Sequence, residues 1–250
     1  IKYLRSNGVN PAITASTGIA ATHIGGVTIH SWSGIGIKEA LSKADLRAIS
    51  ENKRVVGRIK KTEVLIIDEI SMLSGQTLTM VEKVCRSVRQ SNIAFGGIQV
   101  VLVGDFFQLP PVRRRPRNEN EENGQSFLSQ IEPDEALSPF CFNSEIWKTL
   151  DLTVCYLLEQ HRQEDLAYLD ALNAVRGNAV GEVARACFSA RIITALPLTT
   201  VTKLFPHNAD VDRINEQELA KLPEKTRTFV MRSRGAPPLI EGLKRHCLSP

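Results

Sequence analysis

The chain contains no Gly-Lys pair, which excludes within it a Gly-x-x-x-x-Gly-Lys-[Ser/Thr] loop of the kind that wraps nucleotide phosphates. It also lacks a glycine fingerprint after a first strand, and this argues against a nicotinamide-binding α/β enzyme. No apolar run approaches the length of a membrane span, and the first residues lack the charged-then-apolar layout of a secretory signal. The five cysteines, Cys85, Cys141, Cys155, Cys187 and Cys247, are scattered, odd in number and nowhere spaced as a metal pair. They read as reduced thiols of an intracellular protein. Nothing along the chain repeats.

What remains is a globular chain of 250 residues, long enough to bury a core as one large domain or as one and a half smaller ones. A net charge of +4 and a pI near 8.8 are compatible with a polyanionic partner but too mild to demonstrate one.

The informative stretch runs from Val64 to Val112. Val64-Leu65-Ile66-Ile67 is followed at once by Asp68 and Glu69, and four consecutive branched apolar residues suit a strand covered on both faces, as in a parallel sheet between helices. Carboxylates directly after such a strand sit at its carboxyl end, where open α/β sheets bind ligands. In a nucleotide-hydrolysing site the first acid holds Mg²⁺ and the second orients the attacking water, an order that Asp68 and Glu69 fit. Taken alone, the run is equally a core strand whose acids begin a solvated loop. The second run favours the site: Ile98 to Val103 is another strand, closed by Gly104-Asp105-Phe106-Phe107-Gln108-Leu109-Pro110-Pro111. Between them Leu78, Val81, Val84, Cys85 and Val88 recur at helical spacing behind a Ser74 cap. Strand, helix and strand form a parallel unit with both strand ends on one sheet edge, so Gln108 is expected near Asp68 and Glu69. An uncharged amide there suits a sensor of the terminal phosphate or of the attacking water.

Upstream, a helix over Ile1 to Asn7 is expected to end at Gly8, followed by a strand over Ala12 to Ala15. Ser16 or Thr17 then caps a helix from Ile19 to Ile24, whose amino end faces free amides outward. The segment from Val27 to Gly36 mixes hydroxyls, His30 and Trp32 between glycines; it suits single-stranded DNA, with Trp32 stacking on a base, but the residues alone favour a core tryptophan and a hydrogen-bonded structural histidine. Ser42 to Lys61 reads as one or two surface helices. Arg113 to Gly124 is a polar loop with a change of sign, read as a loop with no ligand. Phe142 and Trp147 read as core. Leu152 to Leu158 is an apolar strand running into Gln160-His161-Arg162-Gln163; Leu166, Leu169 and Leu172 mark a helix ending at Gly177; Val201 to Phe205 is a further strand, followed by a helix through Val211, Ile214 and Leu219.

Three stretches carry a resemblance: Ile67-Asp68-Glu69-Ile70-Ser71-Met72, Phe95-Gly96-Gly97-Ile98-Gln99, and Gly104 through Pro111. Together they resemble the petite-integration-frequency family of DNA helicases, which belong to superfamily one and move five-prime to three-prime. Glu82 through Pro111 is similar to the stretch that tells this family from other helicases. The resemblance implies a RecA-like P-loop NTPase fold, α/β with a parallel sheet flanked by helices, and the start of a second RecA-like domain. It implies ATP and Mg²⁺ as cofactors, served by Asp68 (metal and catalysis), Glu69, Gln108 and the arginine finger Arg162, with Gln160 assisting. It assigns Ser16, Thr17, Gly18, Thr28, His30 and Trp32 to nucleic acid, which favours the DNA reading of the segment around Trp32, although the family more often has phenylalanine at that position.

On this resemblance the expected protein is a fragment of an ATP-dependent helicase that translocates on single-stranded DNA and unwinds forked or guanine-quadruplex DNA, in repair, recombination and telomere maintenance. It is expected to be a monomer away from membranes, in the nucleus or mitochondrion of a eukaryote or otherwise in the cytoplasm. The fragment is expected to cover residues 1–195 of a first motor domain, with a polar loop over 113–138, and 196–250 of a second. The alternative is an inactive remnant that binds single-stranded DNA; a longer reading frame carrying Gly-Lys-Ser or Gly-Lys-Thr distinguishes the two.

Overall fold

Both alternating sets of side chains in Val64–Asp68 are buried, with Leu65 and Ile67 at 0% exposure and Val64 and Ile66 at 5% and 9%. A strand must be covered on both faces to look like this, and this strand (β3) is central to the sheet. In a computed structural model, residues 1–111, 140–192, 202–205, 207–223, Arg234 and Ile240 are described. The chain divides into two compact units, residues 1–169 with 176–178 and residues 170–175 with 179–250.

The first unit holds a four-stranded sheet in the order β2-β1-β3-β4, built from β1 (Ala12–Ala15), β2 (Val27–Thr28), β3 and β4 (Gln99–Leu102). Every pairing is parallel, with Ala15 beside Thr28 and Asp68, and Ile67 beside Leu102. The connections are helical, as parallel pairs demand: α1 (Lys2–Ser6) precedes β1, α2 (Gly18–His23) joins β1 to β2, and α3 (Ile29–Ser33), α4 (Lys43–Glu51) and α5 (Lys53–Lys61) lead to β3. The helix α6 (Gly75–Arg89) joins β3 to β4. Its expected apolar positions Leu78, Val81, Val84, Cys85 and Val88 are all buried, and Ser74 caps its start by accepting the Thr77 amide. Thr14, at 0% exposure, donates its hydroxyl to the Ile66 carbonyl at 2.7 Å, which satisfies a polar side chain inside the sheet.

The turn into β4 has an unusual device. Phe95, Gly96 and Gly97 all have positive φ (52°, 64° and 77°), and the first two are buried. The carboxylate of Glu82, 4% exposed, accepts the Phe95 amide and lies 3.6 Å from Arg86 Nε. Burial pushes the Glu82 carboxyl up, and Arg86 and the Phe95 amide act against that shift.

After Phe140, α7 (Glu145–Thr149) follows a short 3₁₀ turn at Cys141–Asn143. Phe106 packs edge-on against Phe140, Phe142 and Trp147 at 6.1, 5.0 and 5.8 Å, in line with a packing role for these rings. The helix α8 (Leu166–Arg176) follows, and the second unit contains α9 (Glu182–Ser189) and α10 (Asn208–Ala220). Among the described residues no helix is long and apolar enough to cross a membrane.

Val27 to Gly36 is a short strand running into a helix. Two readings change. Leu152 to Leu158 forms no strand: Tyr156, Leu157 and Leu158 are 82%, 93% and 90% exposed, and among the described residues no strand pairs with them. An apolar run supplies a face but not the ladder partner a strand needs. Residues 202–205 likewise carry no strand, with Leu204 94% exposed. The helix α9 has no counterpart in the sequence reading. The polar loop at 113–138 and the boundary near 195 lie outside the described residues.

A Cβ on Gly96 would stand 2.8 Å from the Cys85 carbonyl. Gly96→Ala is therefore expected to cost at least the ~1–2 kcal/mol of a left-handed alanine, read as a lower urea midpoint in circular dichroism.

Candidate active site and nucleic-acid edge

The parallel register brings the carboxyl ends of all four strands to one edge. In sheet order that edge carries Thr28 at the end of β2, Ser16 and Thr17 after β1, Asp68 and Glu69 at and just past the end of β3, and Val103 and Gly104 after β4. The Ser16 amide donates to the Asp68 carbonyl at 3.1 Å, the Val103 amide to the Ile67 carbonyl at 2.9 Å, and the Ile70 amide to the Val103 carbonyl at 2.9 Å. The hydrogen bonding of the sheet thus continues past the ends of β1, β3 and β4 and stitches their three loops together.

The acidic turn is sharp. Glu69 sits in the left-handed region at φ 52° and ψ 46° and opens a 3₁₀ turn over Ile70–Met72. A non-glycine residue there is uncommon, although Gln90, Phe95 and Asn178 share it in this chain. The conformation turns the chain straight after the strand, so Ile70 and Ser71 are buried while Asp68 and Glu69 stay half-buried. Asp68 Oδ1 accepts the Glu69 amide at 3.0 Å.

Two hydroxyls flank these acids without a hydrogen-bond partner among the described residues: Ser16 Oγ and Ser71 Oγ, both shut off from solvent. An orphaned buried hydroxyl is costly. The half-buried carboxylates of Asp68 and Glu69 are oxygen donors of the kind Mg²⁺ takes, with water completing its shell, so the residues present fit that ion.

On the nucleic-acid side, Thr17 and Thr28 are helix caps. Thr17 Oγ1 accepts the Ala20 amide and Thr28 Oγ1 the Ser31 amide, each at 3.2 Å. Each hydroxyl oxygen is engaged as an acceptor, and its hydrogen remains a donor of the kind a phosphate oxygen takes. Gly18 is the first residue of α2 and exposed, and His30 is half-buried within α3. Trp32 corrects the role that the resemblance gave it and agrees with the core reading of the residues themselves. It is 4% exposed and part of the main hydrophobic cluster with Ile29, Ile35 and Val55. A ring at that depth has no face left for a base.

Gln108 is exposed beyond β4 and its amide nitrogen donates to Asp105 Oδ2 at 3.2 Å. Asp105 also receives both arms of the Arg176 guanidinium, and this pairing, ahead of the Phe107 amide and Gln108, holds its carboxyl down at about 2. The stability this pair contributes is complete above the ordinary carboxylate value of 3.8 and is lost as pH falls toward 2. Neither Asp105 nor Arg176 stood out in the sequence; the signal for Asp105 was its place one residue past the glycine that ends the second apolar run. Gln160 and Arg162 stand on the exposed stretch before α8, and their hydrogen bonds are local: Gln160 Oε1 accepts the Arg162 amide at 2.8 Å.

The family model of PIF1-like helicases matches residues 1–167. The chain is 43% identical to the ATP-dependent DNA helicase Pif1 of Psychrobacter sp. (strain PRwf-1), covering 98% of this chain and 36% of that protein. It is 38% identical to the ATP-dependent DNA helicase RRM3 of Saccharomyces cerevisiae, covering 85% of this chain and 27% of the relative. The chain therefore spans about a third of the curated relatives it matches. Among solved structures it is similar to Pif1 helicase from Candida albicans (TM-score 0.77, 31% identity, covering 100% of this chain and 53% of that one). It is also similar to Bacteroides Pif1 in complex with ADP-AlF3 and single-stranded DNA (TM-score 0.67, 30% identity, covering 92% and 51%).

A Cβ on Gly104 would lie 2.9 Å from both the Ile70 amide nitrogen and the Ile70 Cγ2. Gly104→Ala is expected to part the acidic turn from the β4 exit and to raise hydrogen exchange at the Ile70 amide at least ~10-fold, the order of one lost hydrogen bond, measured by mass spectrometry on peptides covering 68–73.

Proposed function

The chain belongs to the PIF1-like helicase family, and from that premise we propose that it is the part of an ATP-driven DNA helicase that hydrolyses nucleotide and grips single-stranded DNA. The observation that carries this reading is the single sheet edge on which Thr28, Ser16 and Thr17 lie beside Asp68 and Glu69. Nucleic acid and nucleotide groups are then one strand apart, close enough for a change at one to strain the other.

In this reading Asp68 holds Mg²⁺, with water filling the rest of its shell; when bound, the ion neutralises charge on the phosphates. Glu69, held by its left-handed backbone, orients and polarises the attacking water. Gln108 approaches that water or the terminal phosphate from the β4 side. Arg162, with Gln160 bracing its turn, supplies a guanidinium to the charge that spreads over the transferring group. Thr17 and Thr28 donate hydroxyl hydrogens to the DNA backbone, aided by Gly18 and His30, while Ser16, its hydroxyl closed to solvent and its amide bonded to the Asp68 carbonyl, holds the turn that carries Thr17. Contacts of this kind position the strand without reading its sequence, which suits a motor. The substrates in this reading are single-stranded and forked DNA, with guanine-quadruplex DNA as a further one. The working form is a monomer, and residues 196–250 open a second motor domain.

The test uses the longer protein that carries this chain. Glu69→Gln is expected to lower ATP turnover stimulated by single-stranded DNA by ~10²-fold or more, while fluorescence anisotropy shows unchanged affinity for a labelled oligonucleotide. Turnover that survives the substitution removes Glu69 from the chemistry. In the same protein the pair Thr17→Val and Thr28→Val is expected to weaken oligonucleotide binding ~10-fold, the loss of one or two hydrogen bonds to a charged acceptor; unchanged affinity would take the strand off this edge.

A further inference from the structure

The loop after β4 is fastened from two directions. Toward the interior, Phe106 enters the aromatic cluster of Phe140, Phe142 and Trp147. Toward the outside, Arg176, the last residue of α8 and 71 positions along the chain, gives Nη1 to Asp105 Oδ2 and Nη2 to Asp105 Oδ1 at 2.9 Å. Its guanidinium carbon stands 4.8 Å over the ring of Phe107, a side chain otherwise 75% exposed. Arg176 and Asp105 both belong to the first compact unit.

The bland alternative is a surface ion pair, worth at most about 1 kcal/mol. Three features set this one apart. It is bidentate, the fork geometry a guanidinium makes and an ammonium does not. Its acceptor is shielded, with 22% of the Asp105 side chain exposed. Most important, the same carboxylate organises everything around Gln108: Oδ1 also accepts the Phe107 amide at 3.1 Å, Oδ2 also accepts Gln108 Nε2 at 3.2 Å, and the Asp105 carbonyl accepts the Gln108 amide at 3.0 Å.

An ionised carboxylate only accepts hydrogen bonds, and a glutamine amide has one donating and one accepting end. Whatever keeps Asp105 aimed at Gln108 therefore also decides which way round that amide lies: Nε2 inward on Asp105, Oε1 outward. We propose that Arg176 is a positioning residue that acts through Asp105 to hold Gln108 with its carbonyl oxygen outward, the end that accepts a hydrogen from the attacking water. The inference rests on the reading of Gln108 as part of the hydrolytic site. Without Arg176, Asp105 is free to turn about its side-chain torsions, and Gln108 loses its orientation although the β4 strand stays in place.

Two measurements test it. In the 250-residue chain, hydrogen exchange over peptides covering 104–111 is compared for wild type, Arg176→Ala and Arg176→Lys. The alanine variant is expected to speed exchange of the Phe107 and Gln108 amides at least ~10-fold, the lysine variant to restore part of that protection, and peptides from β3 to stay unchanged. Exchange at 104–111 unaltered by Arg176→Ala overturns the proposal whatever the protein does with ATP. In the longer protein, Arg176→Ala is expected to lower DNA-stimulated kcat for ATP ~10-fold with KM within ~2-fold, and to have no further effect once Gln108→Ala or Asp105→Asn is present, since residues acting in series are not additive. Effects of Arg176→Ala and Gln108→Ala that multiply overturn the proposal. A wild-type protein with no ATP turnover refutes the hydrolytic reading, and with it the role given to Gln108, while the exchange experiment still decides whether the clamp exists.

Discussion

A single main-chain hydrogen bond, from the Ile70 amide to the Val103 carbonyl, holds the acidic turn against the exit of β4, and the working edge of the sheet depends on it. The bond forms only because Gly104 lets the two backbones meet with no side chain between them. Around it the ladder runs on past the strand ends, with Ser16 bonded to Asp68 and Val103 to Ile67. Loops in proteins are ordinarily the parts free to drift; here three of them are stitched by the pattern that stitches the sheet. This fixes Asp68 and Glu69 without burying them, as groups that must meet both solvent and ligand require.

The segment most diagnostic of the family has a folding explanation. Glu82 is a buried carboxylate, a group normally kept in water, and it is tolerated because it accepts the Phe95 amide beside Arg86. That bond secures a run of three left-handed residues, Phe95, Gly96 and Gly97, that turns the chain from α6 into β4. The register of β4 against β3 then decides where Gly104 and Gln108 fall. A glutamate on one helix and a glycine pair fourteen residues later thus serve the proposed catalytic edge from a distance, by setting where a strand starts.

The two sides of the proposed site differ in how they are built. The β3 turn is held by main-chain bonds to its neighbours on both sides. The loop carrying Gln108 is held through side chains, Phe106 into an aromatic cluster and Asp105 to Arg176. Main-chain fastening suits a carboxylate that keeps one place through a cycle, whereas a side-chain clamp is separable and suits a group whose orientation answers to its surroundings.

Much of this was legible in the sequence, because the signals were local. The run Val64 to Ile67 told of a doubly covered strand, the spacing from Leu78 to Val88 of a helix, and the acids after the run of a strand-end site; chain geometry alone then brings Asp68 and Gly104 to one edge. Pattern alone misled at Leu152 to Leu158, since an apolar run does not reveal whether a partner strand is present; at Trp32 the residues themselves pointed to the core, and it was the family resemblance that pointed to a base. The tertiary structure alone decided the burial of Trp32, the orphaned hydroxyls of Ser16 and Ser71, and the clamp of Arg176 on Asp105. Each of these joins or encloses residues far apart in the chain, and such contacts are set by how whole elements pack, which no window of neighbouring residues contains.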